Sequence, residues 1–478
     1  MEAAGTNTRP ITFTASTPDA PWGQILFDNS QSARFNFSNI HRGGHSPRGG
    51  HTGHGRVLRI MGSSVTFENC TISDNPGKIG ETDRQGGVDS EIIFRECHWA
   101  RSVMGIETFD TGVLMEDCWI TDMLGRYRED GVTDDNDAIY LHGSGAGQSI
   151  ILRRLVVAHC DDDGIDTLDA DLVVEDCLCR NIADKGMSML GGTATVTRSL
   201  FTACDIGFSA KNDARAILQF CTITGNESLG LQAENKNGDD DPSFYEITNS
   251  IIWNNTSEIR TDYDPTDITI DHTLTGQPWP DAGTQDPSNL NTDPLFVDPE
   301  NGNYHLKASS PARGAADPTL PDSPDDRSRD LGRYPYDAVF DGAGSEIRWL
   351  AANGPYRVTA DASVPAGNNL VIEAGTNVYF DPGTRLTING SVQIEGTPTR
   401  RVQLSSVPGA PYEADPASDG LPDGPPKWDG IKIVDSMDPS NRIAHLDIRN
   451  AQHRQGSIGI IRSQCVIDDV RFSGPISA

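Results

Sequence analysis

Carboxylates that recur at matching positions of successive segments are the residues of this sequence best suited to chemistry. Asn136-Asp137 and Asp162-Asp163 each precede a short apolar run, and Asp166 follows the second pair. Like charges held close together repel, so such a group needs protonation, a countercharge or a bound cation. A hard cation with oxygen ligands is the simplest solution. The sequence therefore predicts a Ca²⁺ site formed by Asp137, Asp162, Asp163 and Asp166.

Two lysines lie close to these carboxylates in the pattern and are the candidate bases. Lys185 occupies the position of Asp163 in the following repeated segment, and Lys211 lies in the segment after that. Neighbouring carboxylates raise the pKa of a lysine and make it a poor base, whereas a bound cation offsets their field. Lys185 is the first candidate and Lys211 the second. The structural alternative is that Lys185 neutralises Asp163 while the aspartates cap turns between strands.

A repeat sets the position of these residues. Segments with the same residue pattern end at Cys97 and Cys118, which are 21 residues apart. The same pattern ends at Cys177, Ser199 and Cys221, each 22 residues after the one before. Short alternating strands at this period, without a helical pattern, predict an all-β parallel β-helix whose coils lie about 4.8 Å apart. Cysteine alternates with Leu155 and Ser199 at one rung, so we expect a ladder of buried free thiols rather than disulfides.

Stacking the coils predicts three columns of side chains and an acidic face over residues 136–213. One column holds Asn136, Asp162, Asp184 and Asp205, the next holds Asp137, Asp163 and Lys185, and a third, facing outward, holds Glu107, Tyr140, Asp166, Ser188 and Ser209. Met187 and Phe208 are expected to point inward.

The charge balance narrows the class of partner. The chain of 478 residues carries 38 Lys and Arg against 69 Asp and Glu, a formal charge of −31. Diffuse binding to nucleic acid or to anionic membranes is disfavoured. No apolar run approaches the roughly 20 residues of a membrane span, so membrane insertion is not expected. We expect a polysaccharide partner, and a chain that is a monomer or part of a longer polypeptide.

Three regions are predicted along the chain. Residues 1–312 form the first β-helix, the Asp/Pro/Gly-rich residues 313–345 form a linker, and residues 346–478 form a second, truncated unit. The pattern from Val402 to Ile433 repeats the opening from Ile11 to Phe27. The chain is therefore expected to begin midway through one β-helix unit and to end midway through the next, as an excised piece would.

The loop of residues 41–56 is rich in Gly and carries four His and three Arg. Imidazoles on such a loop can ligate Zn²⁺ or Cu²⁺, and its arginines can hold carboxylate or sulfate groups. The alternative is an exposed polar loop, and the sequence leaves both open.

The repeat resembles the right-handed parallel β-helix proteins of the pectate-lyase-like superfamily over about residues 55–310. Asp162-Asp163-Gly-Ile-Asp166, with Asp137 in the preceding coil, is similar to the calcium site of family 9 polysaccharide lyases. In that family a lysine abstracts the proton α to the uronate carboxylate that calcium neutralises. Met189 stands at the position of that lysine. The resemblance thus implies lyase activity only if Lys185 or Lys211 replaces it.

Two further resemblances concern the same stretch. Asp162-Asp163-Gly-Ile followed one coil later by Lys185 is similar to family 28 glycoside hydrolases, in which a histidine stands at the lysine position, and implies inverting hydrolysis. Asp184-Lys185-Gly-Met-Ser188, followed by Gly207-Phe-Ser-Ala-Lys211, also resembles many uncharacterised secreted β-helix proteins, which implies no reaction.

Together these observations predict a secreted or surface protein of bacterial type that holds carbohydrate in an acidic groove. Arg126 and Arg128 of an insertion would form a basic lip, with Tyr140 and His142 contacting the sugar. A calcium-dependent lyase acting on acidic polysaccharide is the first interpretation. The alternatives are a non-catalytic calcium-binding, adhesion or spacer module of a larger surface protein and, third, an inverting glycoside hydrolase.

Overall fold

The computed structural model describes most of the chain, and every regular element in the described part is a β-strand. The described residues are 2–6, 9–17, 20–44, 55–125, 136–236, 238, 241–262, 267–276, 287–299, 303–319, 329–335, 346–351, 355–358, 361–406, 427–451 and 456–473. No helix long and apolar enough to cross a membrane occurs among them.

Thirty strands build the first solenoid. They are β1 Glu2–Ala4, β2 Ile11–Phe13, β3 Ile25–Asp28, β4 Ala33–Asn36, β5 Ser38–His41, β6 Arg56–Met61, β7 Ser64–Glu68, β8 Thr71–Asp83, β9 Ser90–Arg95, β10 His98–Phe109, β11 Thr111–Glu116, β12 Trp119–Met123, β13 Ile139–His142, β14 Ile150–Arg153, β15 Val156–Cys160, β16 Ile165–Leu168, β17 Leu172–Glu175, β18 Leu178–Ile182, β19 Lys185–Leu190, β20 Thr193–Thr197, β21 Leu200–Thr202, β22 Ile206–Lys211, β23 Arg215–Gln219, β24 Thr222–Thr224, β25 Leu229–Glu234, β26 Phe244–Thr248, β27 Ile251–Trp253, β28 Ser257–Thr261, β29 Ile268–Asp271 and β30 Leu274–Thr275.

All pairings between these strands are parallel, and the strands form three faces of a right-handed solenoid. The first face is an 11-stranded sheet in the order β1-β4-β7-β9-β11-β14-β17-β20-β23-β26-β29. The second face runs through β2, β5, β12, β15, β18, β21, β24, β27 and β30, and the third through β3, β6, β13, β16, β19, β22, β25 and β28. Strands β8 and β10 are long enough to contribute to both the second and the third face. The predicted parallel β-helix is confirmed.

One residue in the left-handed conformation makes the corner between the first and second faces. Asn69, Asp117 and Asp176 have φ of 54°, 55° and 55°, and each directly precedes a ladder cysteine. Asn and Asp tolerate this conformation better than other residues with a Cβ. The corner turns the next side chain inward, so Cys70, Cys118 and Cys177 are buried, and all nine cysteines are free thiols.

The core of the first solenoid consists of inward side chains stacked in layers. Met187, Met189 and Phe208 are fully buried in it, as the alternation of β19 and β22 predicts. Such stacking is the main source of stability, because each coil buries the apolar face of its neighbours.

Residues 309–335 belong with the first solenoid, whereas the sequence predicted a linker from residue 313. Contacts divide the chain into Met1–Leu295 with Ser309–Pro335, and Phe296–Ala308 with Tyr336–Ala478. Leu331 is fully buried. Arg333 donates from its main-chain N–H to Thr222 Oγ1 (3.0 Å) and from its guanidinium to Arg198 O (3.1 Å). This segment ties neighbouring coils together, which composition alone does not reveal.

The second unit is a shorter solenoid of the same type. Its strands are β31 Phe296–Asp298, β32 Asn303–Leu306, β33 Glu346–Trp349, β34 Tyr356–Val358, β35 Ala362–Val364, β36 Asn369–Glu373, β37 Asn377–Phe380, β38 Leu386–Ile388, β39 Ser391–Glu395, β40 Val402–Ser406, β41 Ile431–Val434, β42 Arg442–Arg449, β43 Ile458–Ile461 and β44 Val466–Ser473. β31 and β32 pair antiparallel, and β33 to β44 form parallel sheets of eight and four strands around a separate apolar core.

Candidate functional site: an acidic groove on the third face

The outward side chains of the third face form one continuous column across nine coils. The parallel register pairs, in order, Arg59, Glu81, Glu107, Tyr140, Asp166, Ser188, Ser209, Gln232 and Arg260. The five residues of the predicted outward column are all in it. We call this column and the side chains beside it the acidic groove.

Glycines beside this column allow the coils to approach closely. A Cβ on Gly164 would lie 2.7 Å from Gly186 O, and one on Gly186 would lie 2.6 Å from Gly207 O. Real Cβ atoms do not approach a carbonyl oxygen so closely, so these positions require glycine. This explains the glycine in the repeated Gly-apolar-X-small pattern.

Five aspartates meet at the middle of the acidic groove. Carboxylate oxygens of Asp137, Asp163 and Asp166 lie within 4.8 Å of one another, and so do those of Asp162, Asp163 and Asp184. Asp163 belongs to both groups. All four predicted calcium ligands are thus in one cluster, and Asp184 is an additional acidic neighbour.

Burial and mutual repulsion disfavour the charged forms of this cluster. Burial and the charges of Asp166 and Asp163 raise the pKa of Asp137 well above its ordinary value. Burial and the charge of Asp166 likewise raise the pKa of Asp163 to about 7, although Lys185 acts in the opposite direction. Without a cation the cluster therefore holds protons at neutral pH.

Two of the aspartates also accept main-chain hydrogen bonds from the following coil. Asp163 N–H donates to Asp137 Oδ1 (3.2 Å), and Lys185 N–H donates to Asp163 Oδ1 (3.0 Å). Through these bonds the aspartates tie successive coils together. Carboxylates have two oxygens and several lone pairs, so this role leaves room for a cation ligand.

Lys185 and Lys211 lie in different electrostatic surroundings. Lys185 Nζ lies 3.5 Å from Asp163 Oδ1 and also contacts Asp184 Oδ2. Burial lowers the pKa of Lys185, but the Asp163 and Asp184 carboxylates outweigh it and the pKa is raised. Lys211 Nζ instead donates to the neutral Ser188 Oγ (2.8 Å). Met189, at the position of the family lysine, is buried in the core.

Partly exposed aromatic side chains line the acidic groove beside the aspartates. The His142 ring lies with its centroid 4.1 Å from that of Tyr140 and 4.3 Å from that of Phe109. Tyr140 and His142 were predicted to contact substrate. Arg126 and Arg128, the predicted basic lip, and most of the His-rich loop lie outside the described residues. Of that loop, His41 Nδ1 is hydrogen-bonded to Ser73 Oγ (2.8 Å).

Sequence reasoning missed a buried ionic cluster next to the aromatic rings. Lys78 is fully buried, and its Nζ lies 2.7 Å from Glu81 Oε2 and contacts Glu107 Oε2. His142 Nε2 lies 3.5 Å from Glu107 Oε1, and Arg56 Nη2 lies 2.7 Å from Glu81 Oε2. The sequence pattern that could have revealed this cluster is the matched pair Glu81-Thr82 and Glu107-Thr108, which occupies the same position in consecutive coils.

The charges of this cluster are strongly perturbed. Burial lowers the pKa of Lys78 to about 8, although Glu107 opposes that effect. Burial acts to raise the pKa of Glu107, but its interactions with His142 and Lys78 outweigh it and lower the pKa to about 2. Glu107 is therefore a fixed negative charge beneath His142.

Comparison with known proteins agrees with this architecture. Residues 137–272 match the family model described as a right handed beta helix region. An 89-residue stretch is 38% identical to Protein bark beetle of Drosophila melanogaster, which is 18% of this chain and 3% of that protein. The chain therefore spans only a small part of this curated relative.

Two solved structures are similar at low identity. Pectate lyase Pel9A is 14% identical, with 70% of this chain and 84% of that chain covered and a TM-score of 0.33. The PL6 family alginate lyase AlyGC is 13% identical, with 99% and 75% covered and a TM-score of 0.30. The family match and the stacked parallel coils identify residues 137–272 as a right-handed parallel β-helix.

Proposed function

We propose that the acidic groove binds an acidic polysaccharide through Ca²⁺ held by the aspartate cluster. The observation that carries this proposal is the convergence of Asp137, Asp163 and Asp166, whose carboxylate oxygens lie within 4.8 Å of one another. Calcium takes six to eight oxygen ligands, so a cation held by these aspartates keeps positions open for a sugar carboxylate. Asp162 supplies a further carboxylate close to Asp163, in a second group that includes Asp184.

The protonation of the cluster supports a cation as its natural partner. Burial raises the pKa of Asp137 and Asp163, so the metal-free cluster carries fewer charges than its number of carboxylates. A divalent cation replaces those protons and stabilises the ionised form. Binding should then release protons and strengthen as pH rises. Sites of this type often have affinities suited to extracellular calcium, and we propose a secreted or surface location.

The rest of the acidic groove offers contacts for a sugar chain. The rings of Tyr140, His142 and Phe109 supply an apolar surface on one side of Asp166. On the other side Ser188, Ser209 and Gln232 continue the column as buried neutral polar groups. A ligand would therefore contact the aromatic rings and the cation rather than this part of the column.

A lyase is the second candidate, and Lys211 is its better base. Lys185 is held as an ammonium by two carboxylates, which raise its pKa. Lys211 donates to Ser188 Oγ, and no carboxylate of the described residues lies within salt-bridge distance of it. In β-elimination Lys211 would take the proton α to the uronate carboxylate, a carbon–carbon double bond would form, and the glycosidic C–O bond at the β carbon would break, with solvent protonating the leaving oxygen. A cation held by the aspartates would supply charge stabilisation at the uronate carboxylate.

Inverting hydrolysis is less well supported by this geometry. It needs two carboxyl groups about 6.5–9.5 Å apart, with a water molecule between them. The oxygens of Asp137, Asp163 and Asp166 lie within 4.8 Å of one another. That arrangement suits a shared cation better than a water.

Calorimetric titration with Ca²⁺ tests the cation site. The parent chain should bind the ion, and the double variant Asp163→Asn/Asp166→Asn should not. Asp117→Asn, at a corner of the first face, is the matched control and should bind as the parent does. Retained binding in the double variant would refute the site.

Carbohydrate binding and turnover are then measured separately. The parent with Ca²⁺ should bind polygalacturonate or alginate, and a chelator should abolish that binding. If a lyase is present, unsaturated products should appear with Ca²⁺, Lys211→Met should remove turnover, and calcium binding should persist. Binding without products on either polymer would identify a binding module.

A further inference from the structure

A second column of outward side chains runs beside the column that contains Asp166. The parallel register pairs Phe109 with His142, His142 with Leu168, and Leu168 with Leu190. All four side chains are partly exposed. Each lies two residues after a member of the first column, so it projects from the same outward side of its strand. We call these four residues the apolar column.

The leucines of the apolar column lie on the surface, not in the core. The residues that precede them, Thr167 and Met189, are the buried side chains of the same strands. Single leucines are common on protein surfaces, but four apolar or aromatic side chains in consecutive coils form a continuous strip about 14 Å long. An apolar strip bordered by polar residues is typical of a ligand-binding surface.

Charge decides which groups of a uronate ligand can face the apolar column. On one side lies Asp166, where the cation would hold the sugar carboxylate. On the other side the exposed Asp169 directly follows Leu168. A second sugar carboxylate would be repelled by Asp169. Neutral groups of the sugar therefore belong over Leu168 and Leu190.

The spacing of the two columns matches the width of a sugar ring. Asp166 and Leu168 are two residues apart along β16, which is a distance of about 7 Å. A pyranose whose carboxylate is held at the cation would thus place the substituents of its opposite edge on Leu168. A free hydroxyl would lose hydration there without gaining a hydrogen bond. An acetyl group on the same oxygen would instead bury its methyl group.

We propose that the ligand of the acidic groove is an O-acetylated acidic polysaccharide, whose acetyl methyl groups lie on Leu168 and Leu190. This inference rests on the proposed function, because the cation must first hold a sugar carboxylate. A methyl ester would remove the negative charge that the cation requires, whereas an O-acetyl group leaves the carboxylate ionised. Phe109 and His142, whose rings are stacked, continue the apolar column as a surface for the neighbouring sugar.

Binding to matched polymers in the presence of Ca²⁺ tests this inference with the full chain. Polygalacturonate and alginate are each measured before and after chemical O-acetylation, so that chain length and uronate content stay the same. For at least one of the two polymers, the parent should bind the acetylated form more tightly, by about fourfold for each acetyl group that it holds. The quantity compared is the ratio of the two affinities within one protein, so a general loss of affinity cancels.

Variants of the apolar column locate the source of this preference. Leu168→Ser/Leu190→Ser should bring the ratio of affinities close to one, because it removes the apolar surface. Leu168→Met/Leu190→Met should keep the preference, since methionine is apolar and of similar volume. Leu114→Ser, at a partly exposed leucine on the first face, is the matched control and should keep the ratio of the parent.

The outcomes separate this inference from the proposed function. If the parent binds a plain polymer with Ca²⁺ but shows no preference for either acetylated form, the inference is overturned and calcium-bridged binding stands. A preference that survives Leu168→Ser/Leu190→Ser also overturns it. If the parent binds none of the four polymers with Ca²⁺, the proposed function fails and this inference fails with it.

Discussion

Lys185 binds the carboxylate of Asp163 twice, once through its ammonium at 3.5 Å and once through its main-chain N–H at 3.0 Å. The lysine is also in contact with Asp184 Oδ2. It is therefore the cation of the metal-free aspartate cluster and a structural member of its coil. This relationship explains why a lysine in the centre of an acidic groove is poorly suited to act as a base.

Lys185→Met should destabilise the metal-free protein by up to about 3 kcal/mol above pH 7, where the buried Asp163 carboxylate is ionised and loses its countercharge. Calcium should recover a large part of that loss, since it binds the same carboxylates in the folded state. Urea unfolding with chelator and with Ca²⁺ measures both effects. Lys211→Met is the control. The Lys211 ammonium contacts a hydroxyl rather than a carboxylate, so this variant should lose less stability. Equal losses in the two variants would contradict this role of Lys185.

The stability of the metal-free protein should fall as pH rises through neutrality. Burial raises the pKa of Asp163 from 3.8 to about 7, so the folded state holds a proton that the unfolded chain releases. The stability from this group is fully present below pH 3.8 and is lost as pH rises through 7. Asp163→Asn should flatten this part of the profile, as should saturating calcium. The free energy of unfolding measured across this range checks it, and a parent profile without the decline would count against it.

Glu107→Gln should be more damaging than removal of both charges of its ion pair. Lys78 is fully buried, and the variant would leave its ammonium with a weaker set of partners. Breaking a buried pair costs about 3–5 kcal/mol, whereas replacing both members with apolar or neutral groups costs less. Lys78→Met/Glu107→Gln should therefore be more stable than Glu107→Gln. A double-mutant cycle by urea unfolding measures the coupling, and strictly additive losses would show that the pair is not coupled.

Thiol labelling should distinguish one reactive cysteine from eight that are protected by burial. Cys465 is partly exposed, whereas the others are buried. Burial raises the pKa of Cys177, Cys204 and Cys221 to about 12, so these thiols remain protonated and unreactive in the folded state. At about pH 8, iodoacetamide should modify one cysteine quickly and the rest only after unfolding. Mass spectrometry identifies the site, and Cys465→Ser should remove the fast reaction. Rapid labelling of Cys177 or Cys221 would refute the buried ladder.

The repeat, and most of what depends on it, could be predicted from the order of the amino acids. Coils of 21 or 22 residues with one alternating pattern have few ways to bury their apolar side chains, so the parallel β-helix and the outward column of Glu107, Tyr140 and Asp166 follow from spacing. The convergence of Asp137, Asp163 and Asp166 follows too, because neighbouring coils place equivalent residues about 4.8 Å apart.

Which charged groups are paired and which are buried depends on the folded chain. Lys78 directly follows the point at which β8 and β10 shift register, between the pairs Asn75–Ser102 and Lys78–Met104, so periodicity does not predict its contact with Glu107. The packing of Arg333 on Thr222 joins residues 111 positions apart, and no local pattern encodes it. The pKa of Asp163 likewise depends on burial and on several neighbours at once. These quantities depend on distances between coils and on solvent exclusion, which exist only in the folded chain.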